Sequence, residues 1–185
     1  MKGKIFLYSL AASALIVVLT VIGLKPYVAS SINVPFYTLA PEVKKQITCL
    51  AENIYFEAAH EPLEGKKAVA FVTFNRLQTG NYANTICGVV QQKTGKVCQF
   101  SWFCESKTLA KRSAVKETSL YNDILELSTK LYLNFENYTD VTNGATFYHA
   151  DYVNPGWNLT KEKQIGRHIF YKSKGDKIDR SKEII

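Results

Sequence analysis

The sequence predicts an α+β fold: a mainly helical body with a small antiparallel β-hairpin, preceded by one N-terminal transmembrane helix. Ile5–Leu24 contains no charged residue, and a helix of about 20 apolar residues covers the roughly 30 Å hydrocarbon core of a bilayer. Apolar residues recur at three- and four-residue steps over 41–59, which is the helical period, and an apolar run with almost no polar break follows within 62–80. Ala145–Ala150 and Gly166–Lys172 are short, β-rich stretches typical of two paired strands.

The charges that flank the amino-terminal run favour one orientation. Lys2 and Lys4 precede the run and Lys25 alone follows it, which predicts an amino terminus inside and a body outside the cytoplasm. We therefore expect a single-pass protein of the cytoplasmic membrane whose body faces the periplasm or the cell wall. Cleavage of a signal peptide near Val28 and Ser30, which would give a secreted protein, is the alternative.

Composition divides the chain into three parts. Residues 1–40 form the anchor and a short tether, residues 41–173 form the folded body, and residues 174–185 form a polar tail. The hydrophobic fraction of 46% is sufficient for a core in the body. From Ser173 onward we expect the chain to be frayed.

Proline and glycine mark the boundaries of the predicted helices. The first helix should begin at Pro41, where the missing N–H costs nothing, and end before Pro62. The second should continue to Gly80 and be buried nearly all round, since its centre has almost no polar break. A short helix is predicted over 85–90 and a longer one over Ser119–Phe135.

The four cysteines indicate disulfides in an exported protein. Cys98 and Cys104 are close enough in sequence to close a small loop, which leaves Cys49 to pair with Cys87. Four free thiols would be favoured only if the anchor prediction failed. Neither the cysteines nor the histidines have the spacing of a zinc site, so we expect no metal and no cofactor.

The formal net charge of +7 favours an anionic partner. Nucleic acid, anionic lipid and bacterial wall polymer all qualify, and a solvated basic surface is an equally good interpretation. The sequence contains no recognisable nucleic-acid-binding module, so we expect no nucleic acid. We expect a monomer.

Glu57 is the main candidate for a catalytic residue. It follows Ile54 by three and Leu50 by seven residues, so it should lie on the apolar face of the first helix. Glu52 lies about 140° away around the helix and is expected to face solvent. A carboxylate on an apolar face must either be paired or have a raised pKa, because desolvation disfavours its charged form. Such an acid can protonate a leaving group.

Several motifs follow Glu57 in a fixed order. They are Ile54-Tyr55-Phe56-Glu57-Ala58, Glu61-Pro62, Glu64-Gly65, Ala68-Val69-Ala70, Asn75-Arg76, Asn84-Thr85-Ile86, Gly88-Val89-Val90, Cys98-Gln99-Phe100-Ser101-Trp102, the Tyr148 region and Ile165-Gly166-Arg167-His168-Ile169-Phe170. Over roughly residues 47–172 the chain resembles the SleB/CwlJ family of cell-wall hydrolases, in particular the catalytic domain of spore-cortex-lytic enzymes.

The resemblance implies a lysozyme-like fold and a peptidoglycan-cleaving glycosidase. It implies cleavage of the β-1,4 bond between N-acetylmuramic acid and N-acetylglucosamine in peptidoglycan glycan strands, with one essential glutamate. Glu57 matches that residue and would act first as general acid and then as general base. Asn75 and Arg76 are expected to organise the acid or the end of the helix.

The identity of the second catalytic group is open. Glu61, one helical turn beyond Glu57, is the nearest second carboxylate, and Asp151 is another. A muramidase would use such a group. Without one, the C6 hydroxyl of muramic acid attacks its own C1 and gives a 1,6-anhydro product, as in lytic transglycosylases, and we favour this reaction.

Five further residues are candidates for contact with the sugars. Amides and aromatic rings suit N-acetyl groups and sugar faces, so we expect substrate binding by Gln99, Ser101, Trp102, Tyr148 and Trp157. Aromatic residues are often part of a core instead, and that alternative applies to Trp102, which lies near a cysteine, and equally to Tyr148 and Trp157.

Two other kinds of function compete with a glycosidase. A non-catalytic, membrane-tethered peptidoglycan-binding protein would also have the anchor, the positive charge and the aromatic residues. A protein that binds the membrane surface through its basic tail is a weaker third possibility.

Overall fold

The computed structural model describes residues 31–182. The α-helices of this part are α1 (Pro41–Ala58), α2 (Leu63–Thr79), α3 (Ile86–Gln91), α4 (Ser106–Val115) and α5 (Ser119–Leu133). The strands are β1 (Lys93–Thr94), β2 (Val97–Cys98), β3 (Phe147–Ala150), β4 (Thr160–Ile165) and β5 (His168–Lys172). Single 3-10 turns cover Phe36–Thr38, Ser101–Phe103 and Phe135–Asn137.

The first three helices begin and end where the sequence predicts. Pro41 is the first residue of α1, and α2 is followed by Gly80, whose φ of 74° few other residues adopt easily. The side chain of Thr85 caps α3 by accepting a hydrogen bond from the Gly88 N–H at 3.0 Å. These predictions are confirmed, because local backbone chemistry sets the ends of helices.

Helix α2 lies at the centre of the core. All of its residues from 68 to 78 are buried, which confirms the prediction of a helix buried nearly all round. It packs against α1, α3 and α5 on one side and against the sheet on the other. On the sheet side, Ala68 and Val72 contact Phe170 and Ile165.

Both disulfides form as expected. Cys49 is bonded to Cys87, which joins α1 to α3, and Cys98 is bonded to Cys104 across the loop that contains the second 3-10 turn. Cross-links of this kind restrict the unfolded chain and so stabilise the fold.

The larger sheet has three strands rather than the two expected. The predicted pair is present, with Tyr148 of β3 opposite Phe170 of β5, but the strand order is β3-β5-β4. The prediction missed β4 because its sequence, TKEKQI, is polar. Edge strands commonly carry lysine, which prevents pairing with other chains.

The prediction that Glu52 faces solvent is wrong. Glu52 is 1% exposed and forms ion pairs with Arg112 and with Lys116, the latter at 2.8 Å. Both partners come from α4 and its carboxyl end, a helix that sequence analysis did not predict. The prediction failed because α4 covers the face of α1 on which Glu52 lies.

The prediction of a frayed tail is wrong for the part up to residue 182. Asp176 is buried and accepts hydrogen bonds from Thr146 Oγ1 and from Asn81 Nδ2, the latter at 3.2 Å. Arg180 pairs with Asp140 at 3.2 Å. The tail is polar in sequence, but its polar groups find partners on the body.

No helix within residues 31–182 is long and apolar enough to cross a membrane. The expected anchor, Ile5–Leu24, and the alternative cleavage positions at Val28 and Ser30 lie outside the described residues. The anchor and the three-part division of the chain stay predictions.

The buried ion pair of Glu52 can be tested by unfolding in urea. Arg112→Met leaves Glu52 buried with only Lys116 as its cation, so we expect the free energy of unfolding to fall by about 2 to 3 kcal/mol. Lys45→Met is the matched control. Lys45 pairs with Glu42 on the surface, where their side chains are 65% and 64% exposed, and its loss should cost less than about 1 kcal/mol. Equal losses in the two variants would contradict this view of Glu52.

Candidate active site

Glu57 lies in the last turn of α1, at an open groove. The groove has a volume of about 330 Å³ and is lined by residues 55–61. Ile54 and Ala58, on either side of Glu57 along the same face, are buried, whereas Glu57 is half-buried. The helix thus carries the carboxyl group from the core to the edge of the groove, where a substrate can reach it.

The surroundings of Glu57 raise the pKa of its carboxyl group above the ordinary value of 4.5. Burial is the largest cause. The hydroxyl of Tyr148 and the charge of Arg76 lower the pKa, and the charge of Glu105 raises it. The net direction agrees with the expectation from the sequence: Glu57 keeps its proton at higher pH than an ordinary glutamate and is suited to act as an acid.

Tyr148 reaches Glu57 from the sheet. It lies on β3, and its ring packs against His168 at 5.1 Å and Phe170 at 5.5 Å between ring centroids. Its hydroxyl oxygen is buried and has no well-directed hydrogen-bond partner among residues 31–182. Burial and the negative charge of Glu57 hold the pKa of Tyr148 well above 10. Tyr148 therefore stays protonated and can donate to the carboxylate.

Arg76 supplies a buried positive charge beside the acid. It is 4% exposed, and its Nε donates to the carbonyl oxygen of Thr146 at 2.7 Å. Its guanidinium carbon lies 4.9 Å from the ring centre of Phe100 and 5.3 Å from that of Tyr82. Burial lowers the pKa of Arg76, but an arginine keeps its charge in proteins.

The neighbouring Asn75 has a structural role. Its Nδ2 donates to Asp140 Oδ2 at 2.9 Å and to the carbonyl oxygen of Ala145 at 3.0 Å. These bonds hold the loop that leads into β3. Asn75 thus fixes the loop before β3, and the charge of Arg76 acts on Glu57. That these two residues organise the acid or the end of the helix stays a prediction.

The two candidates for a second carboxylate lie close to the turn between β4 and β5. Glu61 Oε2 accepts from the Arg167 N–H at 3.1 Å, and a Cβ atom at Gly166 would collide with that oxygen. Asp151 is exposed and pairs with the guanidinium of Arg167 at 3.2 Å. Each carboxylate therefore has a partner that fixes this turn, which favours structural roles for both.

The three candidates from the cysteine loop differ in their exposure. Trp102 is 4% exposed, stacks on Phe56 at 4.7 Å and donates from Nε1 to Asn53 Oδ1 at 3.0 Å. Its ring supports the helix that carries Glu57, which favours the alternative of a core residue. Gln99 is half-buried and Ser101 is exposed. Substrate binding by Gln99 and Ser101 stays a prediction.

Trp157 lies on the opposite face of the sheet from Tyr148. Successive residues of a strand point to opposite faces. Tyr148 faces Phe170 and the core, whereas Phe147 faces outward and packs against Trp157 at 5.7 Å. A sugar contact by Trp157 stays a prediction, and the contact would have to be made outside the groove of Glu57.

Glu105 is the residue near the acid that the sequence analysis missed. It is exposed, just before α4, and its charge contributes to the raised pKa of Glu57. It is 48 positions from Glu57 in the chain, so no spacing rule could connect the two. The one feature of the sequence that could have drawn attention to Glu105 is its position immediately after Cys104, because the disulfide of Cys104 fixes the loop.

Comparison with known proteins gives the family. The family model described as Cell Wall Hydrolase matches residues 60–171. The spore cortex-lytic enzyme of Oceanobacillus iheyensis is 29% identical over 145 residues, covering 77% of this chain and 45% of that enzyme. The spore cortex-lytic enzyme of Bacillus subtilis is 28% identical over 131 residues, covering 67% of this chain and 36% of that enzyme. The chain therefore spans less than half the length of these curated relatives.

Two solved structures share the fold. The catalytic domain of the Bacillus cereus SleB protein superposes with a TM-score of 0.51 at 22% identity, over 78% of this chain and 99% of that domain. The catalytic domain of the germination-specific lytic transglycosylase SleB from Bacillus anthracis gives a TM-score of 0.51 at 25% identity, over 75% of this chain and 100% of that domain.

The shared fold and these matches define a cell-wall hydrolase of the SleB type. The chain belongs to the Cell Wall Hydrolase family, since the family model covers more than half of its residues. The resemblance stated from the motifs is thus confirmed at the level of the family. The family match begins at residue 60, so Glu57 lies just before it.

The contact between Tyr148 and Glu57 can be tested by titration. Tyr148→Phe removes a hydroxyl that lowers the pKa of Glu57, so the pKa of Glu57 should rise further above 4.5. The side-chain carboxyl carbon of Glu57 can be followed by NMR as the pH changes. Tyr138→Phe removes a hydroxyl from another half-buried tyrosine and should leave the titration unchanged. A lower pKa in Tyr148→Phe would contradict the assignment.

Proposed function

We propose that the protein cleaves the β-1,4 bond between N-acetylmuramic acid and N-acetylglucosamine in peptidoglycan, with Glu57 as the single catalytic carboxyl group. The observation that carries this proposal is the raised pKa of Glu57 at the edge of an open groove. A helix that presents an acid toward a small sheet is also the arrangement expected of a lysozyme-like fold.

The relatives support this choice of substrate. The curated relatives are spore cortex-lytic enzymes, and the Bacillus anthracis domain is a germination-specific lytic transglycosylase. The net charge of +7 suits a wall polymer that carries carboxylates. We propose that the protein acts as a monomer outside the cytoplasm, either on its expected anchor or after cleavage near Ser30.

In the proposed reaction, protonated Glu57 donates its proton to the glycosidic oxygen as the bond to C1 of muramic acid breaks. The C6 hydroxyl of the same sugar then bonds to C1, and the Glu57 carboxylate accepts the hydroxyl proton. The acid is restored, no water is consumed, and the product has a 1,6-anhydro end. Tyr148 and Arg76 stabilise the carboxylate that exists between the two proton transfers.

Hydrolysis with a second carboxylate is the alternative chemistry, and two contacts weigh against it. Glu61 and Asp151 both interact with Arg167, through its backbone N–H and its guanidinium respectively. A general base has to be free to reach a water molecule on the far side of the sugar. A non-catalytic peptidoglycan-binding protein is the remaining rival, and it would have no need of an acid with a raised pKa.

The role of Glu57 is tested by Glu57→Gln, which keeps size and hydrogen bonding but removes the acid. Release of muropeptides from purified sacculi should fall by about a hundredfold or more. In the wild type, release should also decline as the pH rises through the raised pKa of Glu57, because only the protonated form donates. Glu64→Gln changes an exposed carboxylate close by in sequence and should keep normal activity. Normal release by Glu57→Gln would sink the proposal.

The product distinguishes the two reactions. Mass spectrometry of digested sacculi should find muropeptides one water lighter than those with a reducing end. Glu61→Gln should retain most of the wild-type rate and give the same anhydro product. Reducing ends in the wild-type digest, together with their loss in Glu61→Gln, would establish hydrolysis with Glu61 as the second group.

A further inference from the structure

The outer face of the three-stranded sheet carries a cluster of aromatic rings. Trp157, from the loop between β3 and β4, lies 5.7 Å from Phe147, 5.5 Å from His149 and 5.9 Å from Tyr171, measured between ring centroids. The planes of these three rings make angles of 65°, 76° and 88° with the plane of the indole. We call these four residues the outer aromatic platform.

The platform is built rigidly. His149 and Tyr171 stack with an angle of 24° between their rings, and His149 Nε2 is hydrogen-bonded to the Tyr171 hydroxyl at 3.0 Å. The other ring nitrogen of His149 bonds to the carbonyl oxygen of Ala150 at 2.9 Å. Because the supporting rings are already held in place, a ligand would have little ordering to impose on them.

The platform is accessible. Trp157 is 41% exposed. The opposite face of the sheet is occupied, since Phe170 and Ile165 pack there against α2. A large aromatic ring kept exposed on a rigid base is a feature of binding surfaces, because a ring needed only for the core would be buried.

The charge beside the platform is positive. Lys161 of β4 is opposite Tyr171 of β5, which in turn is opposite Phe147 of β3. Side chains that face each other across antiparallel strands share one face of the sheet, so Lys161 flanks the rings. Lys161 is exposed. An amine beside aromatic rings complements a polymer of sugars that carries carboxylates on its peptide stems.

The platform also lies near a buried charge. The guanidinium carbon of Arg76 lies 5.9 Å from the ring centre of Phe147, and the charge of Arg76 acts on Glu57. Arg76 itself is buried, so this contact relates the platform to Glu57 through the interior of the protein.

We propose that the outer aromatic platform is a second glycan-binding surface, which holds sugar units of a peptidoglycan strand away from the bond that is cut. Trp157 would stack on a sugar face, and Lys161 would pair with stem-peptide carboxylates. The inference rests on the proposed function for its substrate. It adds a surface that anchors the polymer, separate from the acid that cleaves it.

The test uses the inactive Glu57→Gln protein, so that binding is measured without cleavage. It should pellet with sacculi from which hydrofluoric acid has removed the anionic polymers attached to the peptidoglycan. Adding Trp157→Ala should weaken this binding about tenfold, as truncation of a central aromatic contact does. Trp157→Phe should restore most of it. Tyr37→Ala, which removes an exposed aromatic residue of the Phe36–Thr38 turn that is not part of the platform, should bind like the parent protein.

Two further measurements separate binding from folding. Thermal unfolding followed by circular dichroism identifies any variant that has lost its fold. Lys161→Glu changes only an exposed side chain, and it should weaken binding even if Trp157→Ala lowers the melting temperature. Undiminished pelleting of the folded Trp157→Ala and Lys161→Glu proteins would overturn the platform and would indicate that the rings serve only to cover the sheet.

The outcomes keep the two proposals apart. If Glu57→Gln pelleted with untreated sacculi but not with treated ones, the platform would also be overturned. The partner would then be the anionic polymer that the treatment removes. Neither result bears on catalysis. The catalytic proposal depends on the release of muropeptides by the wild type and its loss in Glu57→Gln.

Discussion

The burial of Arg76 is the constraint on which the arrangement of this domain depends. A buried guanidinium must be neutralised and hydrogen-bonded, since an unpaired charge in the interior is strongly destabilising. Its Nε donates to the carbonyl oxygen of Thr146, just before β3, and the charges of Glu57 from α1 and Asp176 from the tail act on it. Arg76 therefore joins α2 to the start of the sheet by a hydrogen bond and interacts electrostatically with α1 and the tail.

The same charge explains how Glu57 can serve as an acid and still exist as a carboxylate. Burial alone raises the pKa of Glu57, and Arg76 and Tyr148 oppose that effect. In the proposed reaction Glu57 gives up a proton and takes one back, and both influences serve that role because either form must be accessible. The negative charge of Glu105 adds a further effect that raises the pKa of Glu57.

The parts of the fold that follow local rules could be read from the sequence. Pro41 and Gly80 mark the ends of helices because their effects act on the backbone within one turn. The disulfide between Cys98 and Cys104 could be expected because the two residues are close in the chain. The errors concern polar segments. Helix α4 and strand β4 lack a strong apolar pattern, since each has one face in water and only a narrow contact with the core.

For the candidate site, the sequence was sufficient to place Glu57 and its helix, because the apolar spacing of Leu50, Ile54 and Ala58 marks the face on which Glu57 lies. The sequence could not predict which residues surround Glu57 and the other candidates. Glu52 became buried because α4 brings Arg112 over it. Trp157 and Tyr148 came to lie on opposite faces of one sheet, and Glu61 was drawn to the turn at Arg167. Periodicity and capping act over a few residues, whereas the pKa and the partners of a side chain depend on groups that only the tertiary fold brings together.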